Sequence, residues 1–348
     1  MIGTYASAAL ICAVSLLVGR AVLSLAGRRE WSWLEPAVGF GAVLTATGLL
    51  ARAPGHGTSA TLAVVGLVVL AAIVIWRLGV RPLSGHSRER TNAEGTRGAW
   101  REGLPVAAVV LLALSIPFAI NGRWGLLGMG FNNDLGLHLA WAEWLRSGFG
   151  PEPDTGYPMG PHGLAVATAA VPGISLGQAF LGEIIAIGVM TGLTALGALR
   201  ALTPGRRTLA AAMVALPYLA ASYYAQAAFK ETAEALLVLA FAVYLTRFEA
   251  LPAGWRDRLL FVLPPLALMT GIFFSYSFAG VAWPVAILGL WSLTLPAVRA
   301  ALRPRSLLRF LLRPLTLLGL AVLAGLAFLV TVGPIGFGGS FNKVAASN

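Results

Sequence analysis

Ten runs of mostly apolar residues, each long enough or nearly long enough to cross a bilayer, dominate this chain: 3–26, 34–51, 58–76, 103–121, 176–199, 208–226, 232–246, 259–275, 278–296 and 314–333. A helix needs about 20 such residues to traverse the hydrocarbon. In lipid every backbone polar group must be satisfied within the protein, so a chain of this kind folds as a bundle of helices. The seventh run is short and several contain proline, which membrane helices accommodate when neighbours satisfy the freed backbone groups. Composition agrees: of 348 residues 57% are hydrophobic and only 11% charged, where a soluble domain carries about 25% charged residues. The sequence therefore predicts an all-α integral membrane protein of about ten spans. The first run follows Met1 with no basic leader and no clear cleavage site, and reads as a retained helix rather than a signal peptide.

Loop charges set the orientation. Cytoplasmic loops collect Arg and Lys. With the N-terminus outside, the loops on the inner face carry Arg20, Arg28 and Arg29, then Arg77, Arg81, Arg88, Arg90, Arg97 and Arg101. Arg200, Arg206 and Arg207 follow, then Arg247, Arg256 and Arg258, then Arg299, Arg303, Arg305, Arg309 and Arg313. Only Arg52, Arg123, Arg146, Lys230 and Lys343, of 25 basic residues, remain for the outer face. The expected location is the cell membrane, multi-pass, with both termini extracytoplasmic. The net charge of +11 is thus spread over loops that face anionic lipid headgroups, with no basic domain to bind nucleic acid. The lone Cys12 excludes an intrachain disulfide framework, and His56, His86, His138 and His162 are too scattered for a zinc signature.

Four regions follow from these spans: a four-span bundle over 1–120, an outer loop over 121–175, a six-span bundle over 176–333, and an outer tail over 334–348. Residues 161–173 are too few to span. A crossing there would also move the arginines at 200–207 outside, so this stretch is expected to be an outer half-helix or a re-entrant segment leading into the fifth span. No internal repeat is visible, which disfavours transporter folds built from two related halves.

Candidate chemistry concentrates in the outer loop. Asn133 or Asp134 can cap a helix running to about Ser147, with Gly148 at its end. On it Asp134, His138, Trp141 and Leu145 share one face, with Leu137 and Trp144 beside it, while Glu143, Arg146 and Ser147 point elsewhere. Asp134 and His138 are the candidate catalytic pair, on the side where an interfacial helix is normally apolar; Asp134 equally suits a helix cap and His138 a hydrogen-bonded neighbour. The segment Tyr157-Pro158-Met159-Gly160-Pro161-His162-Gly163 is a fixed turn that offers Tyr157 and His162 to the outer mouth, or serves as a rigid connector. Lys230 and Glu231, with Glu234, open the seventh run on the same side; a lone ammonium there suits a phosphate, and acids favour a helix start. Glu183 is the one acid well inside a span, either lining the same cavity or hydrogen-bonding a neighbouring helix. Asp134 and His138 supply two metal ligands where sites use three or more. A divalent cation (Mg or Mn) is the one cofactor the loop suggests, and no soluble cofactor motif is present.

The acid on a short helix in a large outer loop, the Tyr-Pro-x-Gly-x-His turn and the later Lys230-Glu231 pair, in this order over residues 121–250, resemble the GT-C superfamily of polytopic glycosyltransferases. The resemblance implies a polyprenyl-phosphate-linked sugar as donor and a cell-envelope glycan or lipid as acceptor. It implies Asp134 as the catalytic carboxylate and Lys230 as the ligand of the donor phosphate. Asn133, Tyr157, His162, Glu231 and Glu183 would then stand near the substrates. The chain differs from many members in placing four spans ahead of the acid loop and in carrying one acid in Asn132-Asn133-Asp134. Two rival classes are a transporter or flippase using Glu183 and Asp134 as pathway charges, and a non-catalytic scaffold of an envelope-synthesis complex.

Overall fold

A computed structural model describes residues 2–28, 30–79, 95–122, 124, 134–154, 156–247 and 254–301. Twelve helices and no strand occur among them: α1 (Ile2–Leu25), α2 (Glu35–Leu50), α3 (Gly57–Arg77), α4 (Gly95–Asn121), α5 (Asp134–Ser147), α6 (Gly160–Ala169), α7 (Leu176–Ala198), α8 (Pro204–Ala215), α9 (Tyr218–Ala225), α10 (Lys230–Leu245), α11 (Trp255–Thr294) and α12 (Pro296–Ala301). The chain divides into two compact units, Met1–Ile287 and Leu288–Asn348. Of the second, the end of α11 and α12 are described. The expected span at 314–333 and the tail at 334–348 lie outside the described residues.

Among the described residues four helices are long and apolar enough to cross a membrane: Ile2–Leu25, Gly57–Arg77, Arg101–Ile120 and Leu176–Ala198. The run expected as a sixth span divides into α8 and α9, bent by 46°, because Pro217 between them offers no N–H to continue the helix. Counted together they make a fifth. Glu35–Leu50, Leu260–Tyr276 and Phe278–Thr294 are apolar but shorter. The last two belong to α11, which breaks at Ser277 with a φ of 68°.

Small residues set the helix spacing, as in membrane bundles generally. A Cβ at Gly39 of α2 would overlap the carbonyl oxygen of Ser15 in α1, and one at Gly19 would overlap that of Glu35. Gly41 and Gly271 let α2 and α11 approach in the same way. Polar side chains add cross-links: Tyr5 OH to Ser115 Oγ at 2.7 Å and Thr45 Oγ1 to Thr270 Oγ1 at 2.8 Å. α7 runs through the middle, with 78% of its apolar window buried, whereas α3 has 11% and turns Leu62, Val65, Leu70 and Trp76 outward. Outward apolar rows of that length suit lipid. Gly39→Val is therefore expected to abolish recovery of monodisperse protein in detergent, while Gly66→Val, at a position of α3 with nothing within 4 Å, leaves the yield unchanged; size-exclusion chromatography reads both.

The loop residues sort to two ends. Arg52 reaches Tyr157, His56 stacks on Trp144 and Lys230 lies over Tyr157. Arg247 bonds Ser32, and Arg28 lies over Tyr244. The first group draws on loops the charge pattern placed outside, the second on loops it placed inside.

Candidate functional site

α5 runs over the residues the sequence marks, Asp134–Ser147, and Gly148 follows at a φ of 74° that favours glycine. Its inner face carries Leu135, His138, Trp141, Ala142 and Leu145, all buried. Leu137, expected beside that face, is instead 44% exposed; it lies a full 100° from His138, on the lip of the stripe. Asp134 opens α5 one turn before His138, and its side chain lies outside the described residues, as does Asn133 altogether.

α6 is the expected half-helix, ten residues long with Pro161 in its first turn, where proline's missing N–H costs nothing. It does not span. Two glycines seat it against α2: a Cβ at Gly160 would stand 2.8 Å from Leu44 O, and one at Gly163 would stand 3.0 Å from Thr47 O. Thr47 donates to Gly160 O at 2.8 Å. This docking carries His162 wholly into the interior, 0% exposed, rather than to the outer mouth.

There the two histidines meet. His138 Nδ1 and His162 Nε2 are 3.0 Å apart, so one ring donates its proton to the other. Trp141 and Tyr157 meet in a tilted contact at 4.4 Å, and Phe229 lies against His138 at 4.8 Å and against Phe180 at 5.4 Å. Lys230 Nζ stands 5.4 Å above the Tyr157 ring, a cation–π arrangement. Arg52 clamps the turn by donating from Nη2 to Tyr157 O at 2.6 Å. Three segments separated in sequence, α5, the Tyr157–His162 turn and the start of α10, thus deliver one imidazole pair, one phenol and one ammonium to a single aromatic-walled place.

Burial, the His138 ring and the Lys230 ammonium hold His162 well below the usual histidine range, so it is neutral at pH 7. Its Nδ1 is buried and meets no hydrogen-bond partner among the described residues. A neutral ring with an open nitrogen, backed by a second ring, can donate or accept a hydrogen bond there, according to its tautomer. The linkage has a definite sign. Because the native pKa is depressed, the unfolded chain binds the proton first, and stability is lost as pH falls below about 6.5. Thermal unfolding of the detergent-solubilised protein is expected to show Tm falling between pH 7 and pH 5, and His162→Gln to flatten that slope.

Glu183 is 0% exposed, within α7 and one turn beyond Phe180. Neither carboxyl oxygen bonds a described residue, so the expected hydrogen bond to a neighbouring helix is not seen among them. Glu231, Glu234 and Tyr223 lie within electrostatic reach of Tyr276, and the charges that act on His162 are His138 and Lys230. The described residues hold no group of three or more His, Cys, Asp or Glu side chains fit for a metal ion. Trp141, which the helix face already indicated, is joined by three residues that sequence reasoning passed over: Phe180, Phe229 and Arg52. Phe229 adjoins Lys230, and Arg52 was one of five basic residues on its side, which were the available signals.

Comparison with family models, with curated proteins and with solved structures finds no match for this chain.

Proposed function

We propose that the protein is a GT-C-type glycosyltransferase of about ten spans, lying in the cell membrane with its termini and the His138 end outside. It transfers a sugar from a polyprenyl-phosphate donor to an envelope glycan or lipid. The supporting observation is the convergence of the three motif segments on His138, His162, Tyr157 and Lys230. Transfer from such a donor needs a base for the incoming hydroxyl and a cation for the departing phosphate oxygen. Asp134, at the start of α5, takes the acceptor proton as the acceptor oxygen attacks the anomeric carbon. The bond from that carbon to the phosphate oxygen breaks, and Lys230 meets the charge that develops there. Tyr157, only half-buried over the buried Trp141, is a flat ring of the kind on which sugars stack, and the His138–His162 pair lies beneath it.

Glu183 favours a second reading, transport of a lipid-linked or polar substrate. A deep carboxyl with no bonded partner among the described residues is the type of group that lines a pathway. Membranes containing the protein and labelled polyprenyl-phosphate sugars separate the two. An enzyme transfers label to an acceptor and keeps that rate within about threefold in Glu183→Gln, since the isosteric amide preserves packing. A transporter moves label across the bilayer without forming product and loses that movement in Glu183→Gln.

A further inference from the structure

The other end of the bundle carries a polar cluster for which sugar transfer has no use. The loops after α1 and α7 and the end of α10 bring Arg28, Arg200 and Arg247 within electrostatic reach of one another. Arg247 donates from Nη1 to Ser32 Oγ at 2.9 Å. Its Nη2 is buried and has no hydrogen-bond partner among the described residues, lying where a Cβ on Gly197 would be 3.6 Å away. Arg28 lies over the Tyr244 ring at 5.6 Å. Arg200 is exposed and makes no hydrogen bond or ion pair among the described residues. In the loop that holds Ser32, Trp31 also keeps its indole N–H buried with no acceptor among them.

Two carboxylates at this end are committed elsewhere, while Glu30, between Arg28 and Ser32 in sequence, is exposed and is not among the charges acting on Arg247. Glu35 pairs with Arg20 at 2.8 Å and accepts the Ser32 N–H at 3.0 Å. Glu102 pairs with Arg207 at 2.6 Å. Burial together with Arg200 and Arg28 pulls the Arg247 guanidinium down to about 10. Like charges gathered around a buried unpaired donor are unfavourable. Arginines that merely satisfy the inner-face charge bias would sit separately in water. An oxyanion removes both costs, because it supplies negative charge and several acceptor lone pairs, and the planar guanidinium fork matches phosphate oxygens in particular. Phosphates of anionic lipids lie at the depth where spanning helices end.

We propose that Arg28, Arg200 and Arg247, with the Ser32 hydroxyl, form a binding site for a phosphate oxyanion at the end of the bundle opposite His138. The site is independent of the glycosyltransferase proposal and is tested without any transfer assay.

The full-length protein, delipidated in uncharged detergent, is titrated with phosphatidylglycerol, with phosphatidylcholine, and with sodium phosphate against sodium chloride at equal ionic strength, and Tm is followed by tryptophan fluorescence. Phosphatidylglycerol is expected to raise Tm, while phosphatidylcholine and chloride leave it unchanged. A shift reproduced by inorganic phosphate identifies a free phosphate as sufficient; a shift given by phosphatidylglycerol alone identifies a lipid headgroup. Arg247→Gln and Arg200→Gln are each expected to raise the half-saturating concentration about tenfold or more, the worth of a charged hydrogen bond. Arg200 is exposed, so its variant folds whatever becomes of the Arg247 variant. Arg77→Gln, at an exposed arginine of α3 outside the site, keeps the parent response. No shift from either anion, an unchanged half-saturation in both arginine variants, or a response lost with Arg77→Gln overturns the proposal.

Discussion

Asp134→Asn is expected to lower sugar transfer by about a thousandfold or more, with the protein folded and expressed at the parent level. A positioned general base contributes about 10²–10⁴ to the rate, and an amide cannot take the acceptor proton. Asparagine is nearly isosteric and serves a helix start as well as aspartate does, so α5 keeps its place and the loss is chemical. Initial rates in membranes of matched content give the result. A loss under about tenfold leaves Asp134 as the opening residue of α5 and nothing more.

Lys230→Ala is expected to reduce kcat/KM by about 10²–10³, the magnitude found when a preorganised group facing developing charge is removed. Lys230→Arg keeps the charge above Tyr157 and is expected to recover part of the loss, which a merely structural role would not predict. Lys230 is the last of the three causes that hold His162 low, after burial and the His138 ring, so Lys230→Ala is expected to leave the fall of stability below about pH 6.5 in place. The variant thus separates loss of the cation from loss of the histidine pair, and the pH slope is readable without substrate.

The sequence exposes most of what is local. The extent of α5 follows from Asp134 and Gly148, and its buried face from the spacing of His138, Trp141 and Leu145. The half-helix α6 follows from a run too short to span and from loop parity. Tertiary features are less legible. Pro217 was compatible with a continuous span, and whether such a proline bends a helix depends on which neighbours satisfy the freed carbonyls. Gly19 and Gly39 are two among 41 glycines, and only the crossing of α1 over α2 reveals that a side chain is forbidden there. The His138–His162 bond joins residues 24 apart; each was visible alone, but their contact depends on how Gly160 and Gly163 seat α6 on α2. The Arg28, Arg200 and Arg247 cluster was likewise present as three separate loop charges, without a sign that they converge.

The most direct measurement is photo-crosslinking with a polyprenyl-phosphate sugar bearing a diazirine on its head group, followed by peptide mapping. If the donor phosphate rests at Lys230, label appears in 134–147, 157–162 and 229–234, is displaced by unlabelled donor, and falls in Lys230→Ala. Label confined to the segments around Arg28, Arg200 and Arg247 or to the interior of α7 around Glu183, or label that unlabelled donor does not displace, contradicts the placement of a transfer site at the His138 end.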